Sequence, residues 1–217
     1  MMSYTRDIQT VVNDALSELK DRHDNGKVPN SPVSNNHFLV RWITTAIKKQ
    51  TYSTIVAKNL IQWQKQGRSK GTSAGVETQF KRISAFYAQM LNDENNAITD
   101  ARIERFLDAM EEADWEVSTS EPLLRGGKVQ IFTDGQDSLA LCADQCDDCF
   151  EGENLTKKMS FFVRGNHQKF IDIVSEHGFL VHKVTDYKSN VKYHGEYWIF
   201  PQNEGDRIAE IPMNFQA

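Results

Sequence analysis

Apolar residues recur at helical spacing through the first half of the chain. Ile8, Val11, Val12, Ala15, Leu16 and Leu19 lie on one face of a helix predicted over residues 4–22. Asp24-Asn25-Gly26 through Pro29, Ser31, Pro32 and Asn35-Asn36 is rich in helix breakers and reads as a loop. A second helix follows, with Phe38, Leu39, Trp42, Ile43, Ala46 and Ile47 inward. A third is predicted over about 52–66 with Val56, Leu60 and Trp63 on one face, and Gly67 to Gly75 reads as a connector. A fourth carries Val76, Phe80, Ile83, Phe86 or Tyr87, and Met90. A fifth starts at Thr99 or Asp100, both good N-caps, and buries Ile103, Phe106, Leu107 and Met110.

The period changes near residue 118. Ser118 to Gly127 holds Pro122, Gly126 and Gly127 and marks a boundary. Lys128–Thr133 and Ser138–Ala143 are short strand-like runs around Asp134-Gly135, a hairpin dipeptide. Met159–Arg164 is an apolar strand ended by Gly165-Asn166. Residues 167–177 read as a helix bearing Phe170, Ile171 and Val174, with Gly178 as its stop. Phe179–Tyr187 and Val191–Phe200 complete a strand pair around Lys188-Ser189-Asn190. The expected fold class is α+β. A bundle of about five helices over 1–117 precedes a small, mostly antiparallel sheet with one helix over 118–217, in the order β-β-β-α-β-β.

Composition changes this picture little. With 217 residues, 39% hydrophobic and 25% charged, the chain can bury a core without staples. Apolar runs are only a few residues long, so no membrane span is expected. Met1-Met2-Ser3-Tyr4-Thr5-Arg6-Asp7 lacks the apolar stretch of a secretory signal, and an odd number of cysteines argues against a disulfide framework. The cytoplasm is the expected compartment.

Charge matters more. Residues 36–82 hold nine basic side chains, Arg41, Lys48, Lys49, Lys58, Lys65, Arg68, Lys70, Lys81 and Arg82, against the single acid Glu77. That segment carries +8 in a chain of −5, leaving −13 elsewhere. Such asymmetry attracts polyanions, or else matches two parts of one molecule to each other.

The block Asn36-His37-Phe38-Leu39-Val40-Arg41-Trp42-Ile43, then Ala46-Ile47-Lys48-Lys49 and Gln66-Gly67-Arg68, resembles an uncharacterised family of gammaproteobacterial proteins. Phe161-Phe162-Val163-Arg164-Gly165-Asn166 fits the same family, and the resemblance spans about residues 5–200. It implies no activity, cofactor or catalytic residue, and it does not extend to a cysteine cluster.

All three cysteines fall in one window, Cys142-x3-Cys146-x2-Cys149. The spacing matches the cluster loop of radical S-adenosylmethionine enzymes, but Asp148 stands where an aromatic is usual. Only 68 residues follow Cys149, too few for the barrel that such a loop opens. Zinc or an iron–sulfur cluster is an alternative that needs a fourth ligand, such as His167, His177, His182 or His194. Redox work by Cys146 and Cys149 is disfavoured. Asp144, Asp147, Asp148, Glu151 and Glu153 surround them without a base, which raises thiol pKa values. The preferred reading is packing, with no cofactor.

Two further constellations stand out. A hairpin centred on Ser189 pairs His182 with Glu196 and Val184 with His194, so His182, His194 and Glu196 share one sheet face where acid–base or metal chemistry is conceivable. The basic segment offers Arg41, Lys48, Lys49, Lys65, Arg68, Lys70, Lys81 and Arg82 to phosphates. Its third and fourth helices suit a helix-turn-helix, apart from the long connector. No P-loop, dinucleotide fingerprint, G-x-S-x-G or H-E-x-x-H occurs. The expected function is non-catalytic binding of a macromolecule, protein or nucleic acid. A metal protein using Cys142, Cys146 and Cys149 is the alternative, followed by an enzyme using the histidine face.

Overall fold

The computed structural model describes residues 3–91 and 97–217. It contains helices α1 (Tyr4–Asp24), α2 (Pro32–Lys49), α3 (Ala57–Lys70), α4 (Val76–Met90), α5 (Asp100–Glu112), α6 (Ala143–Asp148) and α7 (His167–Glu176). Strands are β1 (Glu116–Ser118), β2 (Ser138–Leu141), β3 (Phe150–Glu151), β4 (Asn154–Leu155), β5 (Met159–Arg164), β6 (His182–Thr185) and β7 (Gly195–Ile199). The α+β class and the N-terminal run of helices agree with the sequence pattern. Among the described residues, no helix is long and apolar enough to cross a membrane.

Packing divides the chain into two compact units. One runs to Gln89 and takes in Phe215–Ala217, and the other is Met90–Asn214. The division falls before α5 rather than at Ser118–Gly127. The reason is the apolar face of α5, where Ile103, Phe106 and Met110 join the core formed with the sheet.

The first unit is helical. α1 buries Ile8, Val11, Val12, Ala15 and Leu19. α2 starts earlier than the run of breakers suggests. Ser31 caps it by accepting the Ser34 amide at 3.3 Å, and Pro32 fills the first turn, where its missing N–H costs nothing. Asn35 and Asn36 are helical because their side chains have partners. Asn35 Nδ2 donates to Glu77 at 2.9 Å, and Asn36 Nδ2 donates to the carbonyl of Gly67 at 3.3 Å. α3 likewise runs past Gly67 to Lys70. Gly67 is buried, and a Cβ there would strike Val40 Cγ2 of α2. Two stretches that carry the family resemblance therefore meet at this helix crossing. The expected long connector shrinks to a 3-10 turn over Gly71–Ala74 and the left-handed Gly75. Trp63 meets Phe80 edge-on at 4.7 Å inside the unit.

The second unit holds a five-stranded sheet in the order β1-β2-β5-β7-β6, plus the small pair β3-β4. β1 runs parallel to β2, and the remaining pairs are antiparallel. One face packs Leu139, Leu141, Phe161, Val163, Tyr197 and Ile199 against α5 and α7. The other turns Ala140 and Phe162 toward Leu123 and Val191. This alternation follows the two-residue period of a strand. Arg102 of α5 caps the end of α7, donating to the carbonyls of His177 at 3.1 Å and Gly178 at 2.9 Å.

Two expected hairpins differ. Residues 128–133 form no strand beyond an isolated bridge from Val129 to Val191. The Glu116 carboxylate accepts the amides of Asp134 and Gly135, and β2 pairs with β1 instead. In the last pair, His182 faces Trp198 and Thr185 faces Glu196, with a bulge between Lys183 and Thr185. Residues 189–194 leave the ladder because the Ser189 hydroxyl bonds the carbonyls of Val191 and His194, and Tyr193 is left-handed. The cysteine window folds around the six-residue helix α6, with Cys142 as its N-cap and Cys149 as its C-cap.

Candidate functional site

The three thiols do not share a point. Cys142 directly follows β2 and joins Leu123, Ala140, Phe162 and Val191 on one face of the sheet. Cys149 is buried in the core on the opposite face, and Cys146 packs against that same core. Cys149 Sγ donates to the carbonyl of Lys158 at 3.5 Å. Burial, then the charge of Asp147, raises the Cys146 thiol pKa, and burial also raises that of Cys149. Among the described residues, no three His, Cys, Asp or Glu side chains are grouped to hold a metal ion.

His182, His194 and Glu196 also have separate surroundings. His182 is fully buried beneath Gly205 and edge-on to Phe200. Burial holds its pKa down at about 4. His194 Nδ1 bonds the carbonyl of Lys192 at 2.8 Å, and its Nε2 meets the Ser138 hydroxyl at 2.9 Å. With Nδ1 donating to the carbonyl, Nε2 accepts from Ser138. This has the look of a nucleophile and its base, but both side chains are buried. Glu196 accepts from the Ser160 hydroxyl and the Trp198 indole, each at 2.9 Å. His194 and Glu196 thus bond different strands of the sheet, at Ser138 and Ser160, and His182 packs apart under Gly205.

The basic segment is different. Lys81 is paired with Glu77 at 2.7 Å, and Arg68 donates to Thr44 at 3.0 Å. Arg82 is half-buried. Burial pushes the Glu77 pKa up, but hydrogen bonds from Lys81 and Asn35 outweigh it and leave the carboxyl below its usual range. Arg41, Lys48, Lys49, Lys58, Lys65 and Lys70 are exposed and take part in none of the ion pairs found among the described residues. The first unit, with thirteen basic and six acidic residues, carries +7, and the remaining chain carries −12.

Beside these cations lies a groove of about 710 Å³ between α1, the following turn and α2. α2 contributes Phe38, Arg41, Trp42, Thr45, Ala46 and Lys49, which recur at helical spacing along one face. Arg22, Lys27, Asp14, Glu18 and Tyr52 complete most of its wall. The acids are occupied. Glu18 accepts the Trp42 indole N–H at 2.9 Å and Arg22 at 3.0 Å, and Asp14 accepts the Tyr52 hydroxyl at 2.8 Å. Burial and Asp14 raise the Tyr52 pKa, keeping the phenol neutral. The Trp42 and Tyr52 rings lie 5.8 Å apart at 44°.

Periodicity placed Phe38 and Trp42 inward with the core of α2, whereas both are half-buried in this wall. The available signal was the pairing of Arg41 with Trp42, repeated in charge at Lys49, eight residues on. No curated protein and no solved structure matches the chain. The profile of a family described as "Protein of unknown function (DUF2913)" matches residues 3–212, and the chain belongs to that family.

Proposed function

We propose that this is a non-catalytic cytoplasmic protein that binds nucleic acid through the basic surface of its helical unit. The observation that supports the reading is the set of exposed, unpaired cations Arg41, Lys48, Lys49, Lys58, Lys65 and Lys70 on a unit of charge +7. Unpaired lysines and arginines neutralise phosphates and release condensed counterions, which gives affinity without sequence information. Three free cysteines suit a reducing compartment.

Heparin chromatography and DNA titration at several salt concentrations test this. Retention at low salt should fall steeply as salt rises, with a logarithmic slope of about −0.9 per phosphate contact on duplex DNA. Reversing Lys65, Arg68 and Lys70 to glutamate should abolish retention at moderate salt. Absence of retention at low salt, or retention indifferent to the triple reversal, would overturn the proposal.

A further inference from the structure

We infer that the groove between α1 and α2 is a nucleotide-unit site, with a planar base against Trp42 and Tyr52 and its phosphate at Arg41 and Lys49. This rests on the nucleic-acid reading above and narrows it to unpaired strands. The first support is size, because about 710 Å³ falls within the range of small-ligand clefts. The second is charge. The lining holds four cations and two acids, and both acids are already bonded to Trp42, Arg22 and Tyr52. Arg41, Lys27 and Lys49 make none of the ion pairs found among the described residues, so the net field favours an anion.

The third support is the aromatic pair. Trp42 and Tyr52 are each held at their polar end by a carboxylate of α1, which fixes the rings before a ligand arrives. Their tilt of 44° keeps them from stacking on each other and leaves ring surface in the groove lining. A base presents a π-face whatever its identity, so rings beside cations bind unpaired nucleotides with little sequence preference. In a duplex the bases are stacked on each other and cannot reach a groove of this kind.

The test compares a short fluorescent oligothymidylate, a duplex of equal length, adenosine monophosphate and inorganic phosphate on the full chain. The site predicts that oligothymidylate binds more tightly than duplex, and the monophosphate more tightly than phosphate. Tyr52→Leu should weaken oligothymidylate about tenfold and leave duplex affinity unchanged. Thr45→Gln, a bulkier but uncharged side chain at an exposed α2 position in the groove wall, should do the same without touching the core or the charge. Lys65→Glu, outside the groove, should weaken both polymers alike. If single strand and duplex bind equally and neither groove variant changes either, the nucleotide site fails while nucleic-acid binding stands. If the monophosphate binds in the groove but neither polymer binds, the nucleotide site stands and the nucleic-acid reading fails. No binding by any probe removes both.

Discussion

Glu18 on α1 holds Trp42 on α2, accepting its indole N–H at 2.9 Å through one oxygen while the other meets Arg22 at 3.0 Å. One carboxylate thus sets the angle of the ring that forms the groove wall. Glu18→Ala should lower stability by about 1 kcal/mol, because the indole loses a charge-assisted partner. Arg22→Ala removes only a half-exposed ion pair and should cost less than about 0.5 kcal/mol. Urea unfolding of the two variants checks the order. Equal costs would mean that the indole bond contributes nothing of its own.

Gly67 brings α3 into close contact with α2. In an exposed helix interior, glycine to alanine is stabilising by about 1 kcal/mol. Here the added methyl meets Val40, so Gly67→Ala should instead destabilise by about 1–2 kcal/mol through overpacking. Val40→Ala in the same chain should recover part of that loss, and a double-mutant cycle over unfolding free energies measures the coupling. Additive effects would show that the two residues do not touch.

His182 makes stability depend on pH. Its folded pKa of about 4 lies below the ordinary 6.5, with burial as the leading cause. Between those values the unfolded chain binds a proton that the folded chain refuses. Stability from this group is therefore complete above pH 6.5 and is lost as pH falls toward 4, by an amount on the order of 3 kcal/mol. Burial lowers His167 and His194 in the same direction. Guanidinium unfolding at pH 7.5 and pH 5 should give a smaller difference for His182→Leu than for the unaltered chain. An unchanged difference would assign the acid loss to other groups.

The cysteines should behave as three separate residues. Cys142→Ser puts a hydroxyl among Leu123, Phe162 and Val191 and should cost about 1–3 kcal/mol. Cys146→Ser, at a half-buried position on α6, should cost less than about 0.5 kcal/mol. Chelator should leave the melting temperature of all variants unchanged. Matching losses at all three positions, together with chelator sensitivity, would indicate a shared ligand.

Much of the fold was legible because its elements carry their period locally. α1, α4, α5, β5 and α7 bury the residues that a helix or strand of their sequence must bury. Legibility failed where a distant group decided. Asn35 and Asn36 look like a loop until Glu77 and the Gly67 carbonyl supply their partners. Asp134-Gly135 looks like a hairpin until Glu116 takes both amides. The last hairpin kept His182 and Glu196 on one face but shifted its pairs, since Ser189 folds its own turn inward.

Sequence by itself determined the α+β class, the helical first half and the segregation of charge, because these depend on residue type and spacing along one element. Tertiary structure alone decided which cations stay unpaired, which face of the sheet each cysteine takes, and that Trp42 and Tyr52 line one groove. Those outcomes depend on partners remote along the chain, such as Glu18 for Trp42 and Asp14 for Tyr52, whose approach is set by how whole helices pack.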